Sequence, residues 1–164
     1  MRAVVQRVER ARVTVDGEVV GAIGRGLLVL VCAMSGDGED DEAWLTGRLA
    51  ALRVFPDQAG RMSRSIIDHA QAHATSGGAG MLVVSQFTLA ADLSPGLAKG
   101  TRPSFTGAAS PDRARQQIEA VVRRLRELLP SLTIATGRFA ADMKVELVND
   151  GPVTLWLDSR RPAG

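Results

Sequence analysis

Two stretches of this 164-residue chain carry residue types from which chemistry is made. The first is Ser85-Gln86-Phe87-Thr88-Leu89, which follows the apolar run Met81-Leu82-Val83-Val84. An apolar strand that suddenly presents two hydroxyls and an amide places polar groups at a strand end, where sites are often built. An amphipathic strand turning its polar face to water would read the same, and the pattern alone leaves both readings open. The second stretch is Asn149-Asp150-Gly151-Pro152-Val153-Thr154, between two β-branched runs. Asn, Asp and Gly ahead of Pro read locally as a structural turn, and Pro removes a ladder donor.

Other reactive residues are sparse. His69 and His73 stand four apart, a spacing that on a helix puts both on one face, where they could hold a metal. No Glu adjoins them in an HExxH pattern, and Thr75-Ser76-Gly77-Gly78-Ala79-Gly80 follows at once. We read a solvated loop and no metal. A Ser-His-Asp hydrolase needs a firmly held imidazole, which such a stretch does not provide. The single cysteine, Cys32, lies in the apolar run Gly26–Ala33 and reads as a small buried hydrophobe. Thr88 is the obvious nucleophile, but a hydroxyl without a neighbouring base is weak, and no convincing base is visible.

The elements that must position these residues are legible in outline. Ala11–Val15 and Glu18–Ile23 flank Asp16-Gly17, a short hairpin signal within residues 3–24. Gly26–Ala33 reads as a strand buried on both faces. Acidic residues from Asp37 to Glu42 open a helix expected to run to about Arg53, with Leu45, Leu49 and Leu52 on one stripe. Phe55–Gly60 reads as a turn. Residues 68–80 and 93–101 read as loops, with a strand over Met81–Leu89 between them. The clearest helix is Pro111–Leu129, with Ser110 as N-cap, Pro111 at its first position and Pro130 as its stop. Its arginines, Arg113, Arg115, Arg123, Arg124 and Arg126, lie mostly off the apolar stripe, as a solvated face or an RNA contact would. Ser131–Thr136, Met143–Val148 and Val153–Leu157 read as strands. The expected fold is α+β: a compact single domain, residues 1–164, of mixed β-sheets with two main helices.

Composition excludes some classes. With 45% hydrophobic and 23% charged residues the chain is an ordinary globular one. No apolar run approaches the roughly 20 residues of a membrane span. The first residues show no apolar signal segment, so a cytoplasmic protein is expected. Lys99 and Lys144 are the lysines, so 18 of the 20 basic residues are arginine, and the net charge of +2 merely permits an anionic partner.

Taken together, Ser85–Leu89 and Asn149–Thr154 match the two signature motifs of the D-aminoacyl-tRNA deacylases, SQFTL and the Gly-Pro within NxGPVT. The resemblance covers almost the whole chain. It includes the opening Met1–Val8, Val15-Asp16-Gly17, Arg102-Pro103-Ser104-Phe105, Gly107-Ala108-Ala109, Thr136-Gly137-Arg138-Phe139 and Ala141-Asp142-Met143-Lys144-Val145. The sequence departs from the family at Ala90, where Tyr is frequent, at Ala140, where Gly is usual, and in longer loops over 68–80 and 93–100.

The resemblance implies an enzyme that hydrolyses the ester of D-aminoacyl-tRNA without a cofactor or metal; glycine has no side chain to collide with a steric wedge, so glycyl-tRNA is expected to be cleaved as well. It implies a homodimer in which a cis Gly151-Pro152 from one subunit enters the site of the other and rejects L side chains by collision. Arg7 would hold that loop. Ser85, Gln86, Phe87 and Thr88 would form the catalytic segment, with backbone N–H groups near Phe87 and Thr88 as the oxyanion hole and the ribose 2′-hydroxyl assisting attack. Phe139 and Met143 would form the pocket for the terminal adenine, unless they are merely core. Lys99 and Arg102 are candidates for phosphate contact. The rivals are a non-catalytic RNA-binding module, disfavoured by an aromatic content of 4%, and a generic dimeric small-ligand protein, which would need neither signature.

Overall fold

The computed structural model describes residues 1–72, 79–94, 96 and 102–161. The chain order is β1 (Arg2–Val15), β2 (Glu18–Ile23), β3 (Gly26–Cys32), α1 (Glu39–Ala51), β4 (Phe55–Pro56), β5 (Met62–Arg64), α2 (Ile66–Ala72), β6 (Gly80–Ser85), a 3₁₀ turn (Phe87–Ala90), α3 (Pro111–Leu128), β7 (Thr133–Thr136) and β8 (Lys144–Asp158). Six strands form one mixed sheet in the order β2-β1-β3-β6-β7, with β8 paired to β1. The hairpin at Asp16-Gly17 forms as its turn chemistry dictates, Val15 facing Glu18.

The parallel pairs β3–β6 and β6–β7 each need a crossover, and helices supply it. Leu27, Val29, Val31, Met81 and Val83 face Leu45, Leu49, Val121 and Leu125 of the helices. The alternate residues Leu28, Leu82 and Val84 face Val8, Val13, Val15 and Ile23 in a second cluster. β3 and β6 are therefore buried on both faces, which is why they are near-continuous Val and Leu. That second cluster exists because the sheet curls. Its terminal strands β2 and β7 approach so closely that a Cβ on Gly21 would lie 2.3 Å from the Thr136 carbonyl oxygen. Only glycine fits there.

The structure revises five expectations. The helix after the acidic patch stops at Ala51 rather than Arg53, and Leu52 is only half-buried. Phe55–Gly60 is not a bare turn, because Phe55-Pro56 pairs with Met62–Arg64. Residues 68–72, read as the start of a loop, belong instead to the helix Ile66–Ala72. Ser65 and Asp68 cap the helix reciprocally: the Ser65 N–H donates to the Asp68 carboxylate (2.9 Å) and the Asp68 N–H to the Ser65 hydroxyl (3.2 Å). Hydrogen bonds from Ser65 to the Asp68 carboxylate, its backbone N–H first and its side chain second, hold that carboxyl below its ordinary value. His69 is consequently buried, stacked on Phe55 with ring centroids 4.4 Å apart, and not solvated; His73 lies outside the described residues. The strand beginning at Gly80 ends at Ser85, not Leu89. Finally, Met143–Val148 and Val153–Leu157 are one strand, β8, and not two joined by a turn.

Candidate active site

β6 delivers Ser85 to the end of the sheet, where the Gln86 N–H donates to the Val31 carbonyl (2.7 Å). The chain then tightens into the 3₁₀ turn, with the Ala91 N–H bonded to the Thr88 carbonyl (3.0 Å). The N–H groups of Phe87 and Thr88 open that turn, where no carbonyl of the turn itself reaches them. Phe87 is exposed and meets Phe105 edge-to-face, centroids 5.2 Å apart.

Ser85, Gln86 and Phe87 form one wall of a cavity of about 650 Å³. Phe139 and Met143, far along the chain, also line it, as do Phe105 and Ile118. Four separate segments are thus brought together by the two crossovers. The lining is mostly apolar. Its titratable side chains among the described residues are Cys32 and Asp142. Burial pushes the Cys32 thiol up to about 11, only partly offset by the Arg2 charge, so it is protonated at neutral pH and a poor nucleophile. Asp142 is exposed and paired with Lys144 at 2.8 Å. Thr88 stands beside the cavity, exposed, its hydroxyl accepting from the Gln86 side-chain amide, which is no base.

Met143 both lines the cavity and packs against the inner cluster, so the two readings of this residue are compatible. Phe139 carries the Arg115 guanidinium over its ring, 4.6 Å from the centroid. Ala140 has φ 62°, the left-handed conformation that favours glycine.

Gly151, Pro152 and Arg7 lie elsewhere. Along β8, Asn149 faces Val8 and Thr154 faces Gln6. Residues 150–153 therefore bulge out opposite a single residue, Arg7. The Gly151-Pro152 bond in this bulge is cis, and Gly151 has φ 150°. The bulge is closed from within by Asn149, whose side chain accepts from the Val153 N–H (2.9 Å) and donates to the Val153 carbonyl (3.1 Å). It is held from behind by Arg7, which is 9% exposed. Its Nε donates to the Asp150 carbonyl at 2.9 Å, and its Nη1 donates to the Val54 carbonyl. Gly151 and Pro152 themselves are exposed. Arg7 faces Leu27 and Ser85 faces Val31. The bulge and the Ser85 segment are thus four residues apart along the strands and three strand spacings across the sheet. These offsets are about 13 Å and about 14 Å, so the two signatures do not meet within one chain.

The sequence profile of the D-Tyr-tRNA(Tyr) deacylase family matches residues 4–158. The chain belongs to this family. It is 53% identical over 160 residues to a D-aminoacyl-tRNA deacylase of Heliobacterium modesticaldum, covering 98% of this chain and 97% of that one. It is 55% identical over 161 residues to one of Anaeromyxobacter dehalogenans, covering 98% and 99%. Among solved structures, one described as a c-Myc DNA unwinding element binding protein superposes with a TM-score of 0.81 at 38% identity, over 96% of this chain and 98% of that one. A probable eukaryotic D-amino acid tRNA deacylase superposes with a TM-score of 0.72, over 95% of this chain and 97% of that one. Its 14% identity makes that a likeness of fold alone.

Reasoning from sequence missed Cys32, Phe105 and Asn149 as parts of these two sites. Phe105 and Asn149 stood within motifs already singled out, and Cys32 carried no signal beyond its apolar surroundings. Lys99 lies outside the described residues. Arg102 is exposed and has no ion pair among the described residues. No described helix is long and apolar enough to cross a membrane.

Proposed function

We propose that this chain, as one deacylase domain, hydrolyses the ester between a D-amino acid and the terminal ribose of tRNA, and also cleaves glycyl-tRNA. One observation carries the reading. An exposed, tightly anchored Gly151-Pro152 bulge and an open cavity lined by Ser85–Phe87 occupy opposite parts of the same sheet. A second copy brings its bulge to the cavity of the first, and the dimer has two complete sites.

In this mechanism the terminal adenine rests among Phe139 and Met143, and the ester carbonyl points to the N–H groups of Phe87 and Thr88. Water adds to the carbonyl carbon, the negative charge develops on the carbonyl oxygen, and those N–H groups stabilise it. The tetrahedral intermediate expels the ribose oxygen, which takes a proton, and the products are free amino acid and tRNA. The neighbouring ribose 2′-hydroxyl assists the proton transfer, since the one carboxylate among the cavity's described residues, Asp142, is exposed and paired with Lys144. The rigid bulge stands beside the α-carbon, where an L side chain collides and a D side chain or a hydrogen does not.

The test is hydrolysis of matched D-tyrosyl-, L-tyrosyl- and glycyl-tRNA with chelator present. Release of D-tyrosine and glycine but not L-tyrosine supports the reading. Resistance of glycyl-tRNA refutes the purely steric account, and release of L-tyrosine refutes chiral selection. The name of the first solved relative motivates a second reading, a non-catalytic nucleic-acid-binding protein, which predicts tRNA binding with no release.

A further inference from the structure

A second groove, about 290 Å³ in volume, opens from the main cavity and shares Ser85, Ile118 and Phe139 with it. One side is a stripe of α3, with Arg115, Glu119, Arg123 and Arg126. The other is the end of β7 with Thr136 and Gly137. These helix positions recur at three- and four-residue intervals, so their side chains align along the groove. Three guanidinium groups and one carboxylate give it an excess positive charge of two. None of these four is in an ion pair among the described residues. By contrast, Arg124, next in sequence but turned to α1, meets Glu39 and Glu42. Arg126 donates one bond to the Ile134 carbonyl (3.3 Å), and Arg115 lies over Phe139.

We infer that this groove is a track for the RNA backbone, with Arg123 and Arg126 taking the phosphates that lead into the terminal nucleotide and Arg115 marking the entrance. This deepens the function proposed above and rests on it for the position of the terminal nucleotide. The physical case has two parts. A nucleotide seated against Phe139 must be followed by a phosphodiester chain, and the groove is lined by that same residue. Guanidinium groups also bind phosphate oxygens in a planar, two-pronged manner, and here they stand with their charge unspent.

The test is the binding of uncharged, fluorescently labelled tRNA to the full-length protein over a series of salt concentrations. Arg123→Gln weakens binding about threefold to fivefold. It also flattens the dependence of log affinity on log salt by about 0.7, the share of one phosphate on a single strand. Arg123→Lys restores part of the affinity. Glu119→Gln tightens binding, a change of opposite sign that a merely structural role would not produce. Arg113→Gln, on the same helix but outside the groove, leaves the salt slope unchanged. Unaltered affinity and slope in Arg123→Gln, or weaker binding in Glu119→Gln, overturns the inference. The outcome is independent of turnover. Groove effects without hydrolysis in the wild type would sink the deacylase reading and keep the track, while hydrolysis without groove effects would do the reverse.

Discussion

The anchoring of the Gly151-Pro152 bulge by Arg7 gives a prediction whose size follows from its hydrogen bonds. Arg7→Ala removes two charge-assisted donors. The Val54 carbonyl sits at a residue only 7% exposed, so it is left without a partner and without water to replace it, at a cost of about 1–3 kcal/mol. The Asp150 carbonyl belongs to an exposed residue and finds water, so the change there costs about 0.5–1.5 kcal/mol. The sum is about 3 kcal/mol, which lowers a urea midpoint by about 1.5 M at an ordinary slope of about 2 kcal/mol per molar. Arg7→Lys provides a point charge where a fork is needed and reaches one carbonyl, not both, so it falls between. Asp150→Asn removes only an exposed carboxylate 3.3 Å from Nε and costs less than about 1 kcal/mol. The same series measured for hydrolysis of D- against L-tyrosyl-tRNA reads the position of the bulge. A weakening of that positioning by about 1.4 kcal/mol lowers the chiral ratio about tenfold. An Arg7→Ala protein with an unchanged midpoint refutes the hydrogen-bond account. One with a lowered midpoint and an intact chiral ratio refutes the link between this anchor and selectivity.

Three further outcomes are expected. Thr88→Ala keeps near-normal turnover of D-tyrosyl-tRNA, because its hydroxyl faces an amide and no base; abolished single-turnover hydrolysis with an unchanged circular dichroism spectrum would restore it as the nucleophile. Gly137→Ala places a Cβ 2.6 Å from the Met143 sulfur, the flexible end of a cavity-lining side chain. Met143 is displaced, KM rises several-fold and the melting temperature barely moves, so an unchanged KM counts against Met143 as a wall of the substrate pocket. Cys32 ionises in the unfolded chain at about 8.5 but near 11 when folded, because of burial. Its contribution to stability is complete below the first value and is lost as pH rises through the second. Urea midpoints measured from pH 8 to 11 therefore fall less steeply in Cys32→Ala than in the parent, and parallel curves refute the assignment.

Local chemistry made several elements legible in the sequence itself. Asp16-Gly17 admits a tight turn, Ser110-Pro111 starts a helix and Pro130 ends it, and a run such as Leu27–Val31 has no polar face to expose. The two unusual segments were also legible, because Ser85–Thr88 interrupts an apolar strand and Gly151-Pro152 interrupts two β-branched runs. Their meaning came from likeness to a family and not from pattern, since each has an innocent local reading.

What the sequence by itself determined was therefore the longer elements in outline, the two signatures and the family to which they belong. Tertiary structure alone decided how they combine. The strand β8 runs on through Pro152 because residues 150–153 leave the ladder as a bulge, so the missing N–H removes no bond to β1, and Asn149 and Arg7 supply the bonds that remain. His69 is buried because Ser65 and Asp68 cap a short helix that Phe55 covers, a meeting of elements too short to show a period. Phe139 and Phe87 share a cavity only because two parallel crossovers lay distant segments side by side. Most of all, the separation of the two signatures within one sheet is a matter of strand register and order. Hydrophobic periodicity shows which face of a strand is buried, but carries no record of which strand lies beside it.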